Sequence, residues 1–252
     1  MVHSCRDEEG PIDVVDEAAT RSLYFGTEAR QSTLYRGDPA TLALAYTRCM
    51  AVSLLFLEEC QAVLLLGLGG GSLVHFLLHH VPGCLVDAVE RRVRVAQVAR
   101  TFFGLADDPR LRVWVEPAEV HLERPVRQAY DLILVDLHDG AGMAAATAQA
   151  GFFPACRRRL APAGVLAINL WSGERQSTLV QAEERLGTSF AGQVMYLPVA
   201  GKSNRIGLAF AARIAEGALR RAGQRAAALG QDLGLDYPPM LWSLAMHNQR
   251  WY

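Results

Sequence analysis

The stretch Ala62–His80, AVLLLGLGGGSLVHFLLHH, decides the fold. A short apolar run, AVLLLG, stops at four glycines interrupted by one leucine, and SLVHFLLHH resumes with helical spacing. This is a strand, a glycine turn and a helix. Without Cβ atoms the turn lets the backbone approach a ligand closely, and the helix start offers free N–H groups. A phosphate-cradling P-loop needs a Lys-Ser/Thr pair after its glycines, and none follows. A dinucleotide fingerprint needs a third glycine where Ser72 stands, after Gly67 and Gly69. A third class pairs a glycine turn with an acidic residue ending the next strand, as in sites for S-adenosylmethionine-type nucleosides. Glu90 ends CLVDAVE at about that 20-residue spacing, where a carboxylate can accept from both ribose hydroxyls.

Outward from this turn the pattern repeats. CLVDAVE, LRVWVE, YDLILVDL and VLAINLW read as further strands. SLVHFLLHH, RRVRVAQVARTFF and TAQAGFFPACRRRL read as helices between them. Apolar strands alternating with helices predict a parallel α/β sheet. QVMYLPVA and RIGLAFAA flank GKSN, which predicts a closing antiparallel hairpin. Upstream, IDVVDE, TRSLYFG and RQSTLYRG predict a small antiparallel β region of three strands, followed by a helix starting at Pro39. The expected organisation is an N-terminal β region over 1–38, a catalytic α/β domain over 39–213 and a helical extension over 214–252. The end of that extension, from Leu233 to Tyr252, carries two of the four tryptophans and reads as a packing lid or an oligomer contact.

The 252 residues suffice for a sizeable core, and 51% are hydrophobic. A formal net charge of -1 argues against a general nucleic-acid or membrane-surface binder. Five scattered cysteines form no CxxC pair, so neither a zinc site nor a disulfide framework is expected. The polar, acidic start MVHSCRDEEG is unlike a secretory leader, and Glu58 and Glu59 interrupt the most apolar region. A cytoplasmic protein is expected.

A second group of acids follows the fourth strand. Asp136 stands at a strand's carboxyl end, where open α/β sheets bind ligands, and Asp139 follows in the loop. Such carboxylates can hold an ammonium group, or take its proton before it attacks an electrophilic carbon. Asp131 begins the same strand at the opposite edge and reads as structural.

The ordered segments TRSLYFG, RQSTLY, DPATLALAYT, LLLGLGGGSL, VDAVE, YDLILVDLHDG and FFPACRRRLAPAGVLAINLW resemble the spermidine synthase family of polyamine aminopropyltransferases over about residues 12 to 212. The resemblance implies a Rossmann-like, S-adenosylmethionine-type methyltransferase fold with a small N-terminal antiparallel β domain, and a homodimer. It implies aminopropyl transfer from decarboxylated S-adenosylmethionine to a diamine, with no metal. By the same resemblance Gln31 lies near the donor, Tyr46 lines the acceptor channel and Glu90 holds the ribose. Asp136 deprotonates the amine, and Asp139 is a second acid near the adenine and acceptor side. Gly67, Gly69, Gly70, Gly71, Ser72 and Glu116 complete the expected donor site, and Arg48 and Asn169 the acceptor side.

Four departures accompany the match. Ser72 stands where the family has an aspartate that disfavours a donor still carrying its carboxylate, so intact S-adenosylmethionine becomes admissible. Ser72 also suits a helix N-cap. Pro117 replaces an adenine-contacting aspartate, with Glu116 or Glu119 as substitutes. Arg48 replaces a channel glutamate. Gly201 aligns near a channel tyrosine, with Arg205 close by. Arginines on the acceptor side would repel a diamine and suit an acidic or neutral acceptor. Two alternatives therefore stand beside aminopropyl transfer: a methyltransferase acting on a non-polyamine acceptor, and a non-catalytic nucleoside-binding protein. A nicotinamide-dependent oxidoreductase is disfavoured by Ser72.

Overall fold

The structure of the protein, a computed structural model, describes residues 1–125, 128–171 and 173–251. Tyr252, the last residue of the expected packing segment, lies outside the described residues. The chain opens with β1 (His3–Asp7), β2 (Gly10–Glu17), β3 (Thr20–Tyr24), β4 (Arg30–Tyr35) and β5 (Asp38–Leu42), an antiparallel meander in that spatial order. The three expected strands are present, with one more at each edge. In β1, HSCRD alternates only between exposed and half-buried positions, so its sequence carries little apolar signal. It is held by pairing to β2 and by the Ser4 hydroxyl donating to Asp13 at 2.6 Å.

The helix expected from Pro39 starts later. Ala40 and Leu42 are buried while Pro39 and Thr41 are exposed, which is the period of a strand. Pro39 is tolerated because β5 is an edge strand. The helical segment begins at α1 (Ala45–Met50) and tightens into a 3₁₀ turn, Ala51–Phe56.

The remaining chain alternates as predicted: β6 (Ala62–Leu66), α2 (Ser72–His80), β7 (Leu85–Glu90), α3 (Val93–Phe102), β8 (Leu111–Val115), α4 (Ala118–Glu123) and β9 (Tyr130–Val135). A two-residue hairpin follows, β10 (His138–Asp139) and β11 (Gly142–Met143). Then come α5 (Phe152–Arg159), β12 (Leu160–Leu170), α6 (Gln176–Ser189), β13 (Val194–Pro198), β14 (Arg205–Phe210), α7 (Ala218–Leu233) and α8 (Tyr237–His247). The large sheet has the order β13-β14-β12-β9-β6-β7-β8. Strands β12, β9, β6, β7 and β8 are parallel, and β14 runs antiparallel to both β12 and β13. The expected closing hairpin is therefore present.

Both faces of the sheet are buried. Val63, Leu65, Leu132 and Leu134 pack to one side, and Leu64, Leu66, Ile133 and Val135 to the other. The N-terminal sheet rests on α3: Ile12, Val14, Leu23 and Leu34 cluster with Val95, Val98 and Phe103. Arg92 ties the two parts, donating to Asp7 from Nη2 at 2.7 Å and from Nε at 3.0 Å. Among the described residues no helix is long and apolar enough to cross a membrane.

Candidate active site

The carboxyl ends of β6, β7, β9 and β12 open into a cavity of about 780 Å³, roofed by β4 and the start of α1. The glycine turn forms its floor. Gly67 has φ +98°, and a Cβ there would overlap the Asp136 carbonyl oxygen. Glycine thus lets β6 and β9 close together, with Asp136 N–H donating to Leu66 O at 2.8 Å. Gly67 and Gly69 face the cavity. Gly70 and Gly71 do not reach it as expected. Gly70 packs against Ser32 and Phe103, where a Cβ would meet Phe103 Cδ1 at 2.8 Å, and Gly71 packs against Leu105.

Glu90 lies where the sequence places it, at the end of β7 and on the cavity wall. Its Oε2 accepts from the N–H groups of Leu68 and Gly69, both at 3.3 Å, and Oε1 accepts from Arg92 N–H at 2.9 Å. Burial raises its pKa above the usual glutamate value, against the pull of those backbone donors. A carboxylate offers about four acceptor positions, so one remains open and two more are only loosely used. That suits a vicinal diol.

Asp136 occupies the centre. Tyr46 Oη donates to its Oδ2 at 2.9 Å, and Asn169 Nδ2 donates to its Oδ1 at 3.0 Å. His138 Nδ1 lies 3.2 Å from the same Oδ1. Desolvation, then the Asp136 charge, push the Tyr46 hydroxyl well above the usual phenol range, so it stays protonated and donates. Asn169 is in turn fixed by Asn204, whose Nδ2 donates to Asn169 Oδ1 at 2.9 Å. Gln31 lines the roof, and its carbonyl oxygen lies 3.4 Å from Tyr46 Oη. Ser72 lines the wall and is 7% exposed. It is the first residue of α2 and not its N-cap. That place belongs to Gly71, whose φ of +79° a serine would adopt only with strain.

Four predicted residues lie elsewhere. Arg48 is two positions after Tyr46, on the opposite face of α1. Its guanidinium donates to the carbonyls of Leu42 and Ala43 at 2.8 and 2.9 Å. Asp139 is held in the β10–β11 hairpin, accepting from Ala141 N–H at 2.8 Å and pairing with Arg175 at 2.7 Å. Glu116 is engaged by Arg124 and His121, at 2.7 Å from Arg124 Nε. The Arg124 guanidinium, first, holds its carboxyl below the usual range. Arg205 turns to Glu183 and stacks over the Tyr196 ring. Pro117 caps the start of α4, and Glu119 rather than Glu116 faces the cavity.

The structure adds residues that sequence reasoning passed over. His138 is nine-tenths buried on the cavity wall, and its Nε2 has no hydrogen-bond partner among the described residues. Trp171 packs 5.8 Å from its ring. Lys202, Ser203 and Asn204 come from the β13–β14 turn. One available signal was overlooked: Lys202 is the only lysine among 25 basic residues. Among the described residues no group of three or more His, Cys, Asp or Glu side chains could hold a metal ion.

The spermine/spermidine synthase domain matches residues 44–201. The polyamine aminopropyltransferase of Chromobacterium violaceum is 33% identical over 201 residues, 79% of this chain and 76% of that protein. A spermidine synthase solved with the transition state analogue AdoDATO superposes with a TM-score of 0.76 at 16% identity, covering 99% of this chain and 86% of that one. The human methyltransferase-like protein 13, solved in complex with SAH, superposes with a TM-score of 0.65 at 24% identity, covering 76% of this chain and 93% of that one. The last two are likenesses of fold.

Proposed function

The chain belongs to the spermine/spermidine synthase family, and from that premise we propose that it transfers an aminopropyl group from decarboxylated S-adenosylmethionine to a small amine acceptor. One observation carries the reading. Asp136 sits at the middle of the sheet order, with the Gly67–Glu90 wall on one side and Asn169 on the other. A nucleoside held by Glu90 directs its sulfonium arm toward Asp136, and an amine entering beside Asn169 meets it there. The amine nitrogen attacks the carbon next to sulfur and the carbon–sulfur bond breaks. Methylthioadenosine leaves as a neutral thioether, and Asp136 takes the proton from nitrogen. Alignment of nitrogen, carbon and sulfur accounts for most of the acceleration. Tyr46 and Asn169 hold the carboxylate so that it faces the nucleophile.

A second reading is methyl transfer from intact S-adenosylmethionine. Ser72 favours it, because this position of the wall carries a hydroxyl and not a carboxylate that would repel a donor carboxylate. Calorimetry with the two donors separates the readings. Tight binding of the decarboxylated donor and release of methylthioadenosine support aminopropyl transfer. Binding of only the carboxylated donor would replace it with methyl transfer. A cytoplasmic homodimer is part of the same proposal. Five free cysteines support the location, and Trp242 and Met246, exposed one turn apart on α8, support self-association. Light scattering that finds monomer alone at micromolar concentration would remove the dimer.

A further inference from the structure

The sheet order divides the cavity by charge. On the β6–β7–β8 side stand Glu90 and Glu119. On the β12–β14 side stand Asn169, Trp171 and the turn carrying Lys202. Asp136 lies between them, and among the described residues no carboxylate from the β12 end or the β13–β14 turn lines the cavity on this second side.

The cations around the cavity are not equivalent. Arg30 pairs with Glu17 at 2.8 Å, Arg92 with Asp7 at 2.7 Å, and Arg91 with Glu9. Lys202 forms no ion pair among the described residues, and it is the chain's single lysine. Its turn is pinned at both ends. Lys202 N–H donates to Val199 O at 3.1 Å, and Asn204 donates to Asn169, which donates to Asp136. The lysine is therefore two residues from Asn204, which is linked to the proposed base through Asn169. Its long stem gives the ammonium reach and leaves it free to meet an anion.

A diamine carries an ammonium at each end. With one end at Asp136, its far end would need a second carboxylate on this side. It would meet Lys202 instead, and like charges brought together disfavour binding. We propose that the acceptor is an amine whose far end is a carboxylate, with the amine at Asp136 and the carboxylate paired to Lys202. This rests on the aminopropyl-transfer reading for the chemistry, but the charge preference concerns binding alone. The remaining carboxylate at the cavity, Glu28, lies on the exposed β3–β4 turn of the N-terminal sheet and has no part in the pairing.

The test is calorimetry on the intact protein, with and without saturating methylthioadenosine. The two probes are δ-aminovalerate and cadaverine, which share a chain and differ in one terminal group. The aminocarboxylate is expected to bind about tenfold tighter or more. Lys202→Glu should reverse the order and Lys202→Met should abolish the preference, each with an unchanged circular dichroism spectrum. Glu28→Gln should leave the ratio as it is. Tighter binding of cadaverine to the unmodified protein, a ratio insensitive to Lys202→Glu, or no binding of δ-aminovalerate would overturn the proposal. So would loss of cadaverine binding in Glu28→Gln. Mixing each probe with decarboxylated S-adenosylmethionine then reads the chemistry separately: a charge preference without methylthioadenosine release keeps the acceptor class and rejects aminopropyl transfer.

Discussion

Asp136 receives donors on both oxygens, from Tyr46 on one side and Asn169 on the other. A carboxylate held this way is oriented before substrate arrives, and its removal should cost the general-base contribution of about 10²–10⁴-fold in rate. Asp136→Asn should show that loss in methylthioadenosine release, with nucleoside affinity retained. Unchanged turnover would remove Asp136 as the base. Tyr46→Phe deletes one charge-assisted hydrogen bond and should lower kcat/KM by about tenfold or more while folding is kept. Glu90 and Asp136 were legible because each stands at the carboxyl end of a strand, and Gln31 and Tyr46 through the resemblance to the family. Arg48 was not. Its guanidinium is taken by the carbonyls of Leu42 and Ala43, which pairing of Asp38–Leu42 into a fifth strand sets beside it.

At the scale of elements, the glycine turn and the N-terminal sheet depend on close approach. Gly67→Ala forces a Cβ onto the Asp136 carbonyl and strains a backbone at φ +98°. It should destabilise the protein by about 2 kcal/mol or more, read as a lower urea midpoint, and displace Asp136 as well. The Asp7–Arg92 pair fastens β1 to the start of α3, with the Arg92 side chain 5% exposed. Asp7→Asn leaves that guanidinium short of its counter-charge, so a loss of about 2 kcal/mol is expected in urea unfolding. The hydrogen-bonded Arg92 guanidinium holds the Asp7 carboxyl below its usual value. Its contribution is therefore full above the unfolded aspartate pKa, near about 4, and fades as pH falls through the lower folded value. Asp7→Asn should accordingly flatten the acid limb of a stability–pH curve. An equally steep limb would show that this pair is not what the acid limb reports. β1 itself could not be read from HSCRD, because its stability comes from pairing and from Arg92, a residue 85 positions away.

At the scale of the whole molecule, the order β13-β14-β12-β9-β6-β7-β8 places the site. It puts Asp136 between the Glu90 side, proposed for the nucleoside, and the Asn169 side, proposed for the acceptor. The antiparallel β13–β14 hairpin brings Lys202 to the same opening as Asn169. The sequence by itself determined the alternation of strands and helices, the glycine turn, Glu90 and Asp136. These depend on local period, on backbone freedom and on position at a strand's end, all written in neighbouring residues. Only the tertiary structure decided which charged groups face the cavity. Arg48, Asp139, Glu116 and Arg205 are spent on backbone carbonyls and ion pairs, while His138 and Lys202 reach the site. A charged side chain goes to whichever partner the packed chain sets beside it, and those partners come from residues far apart in sequence.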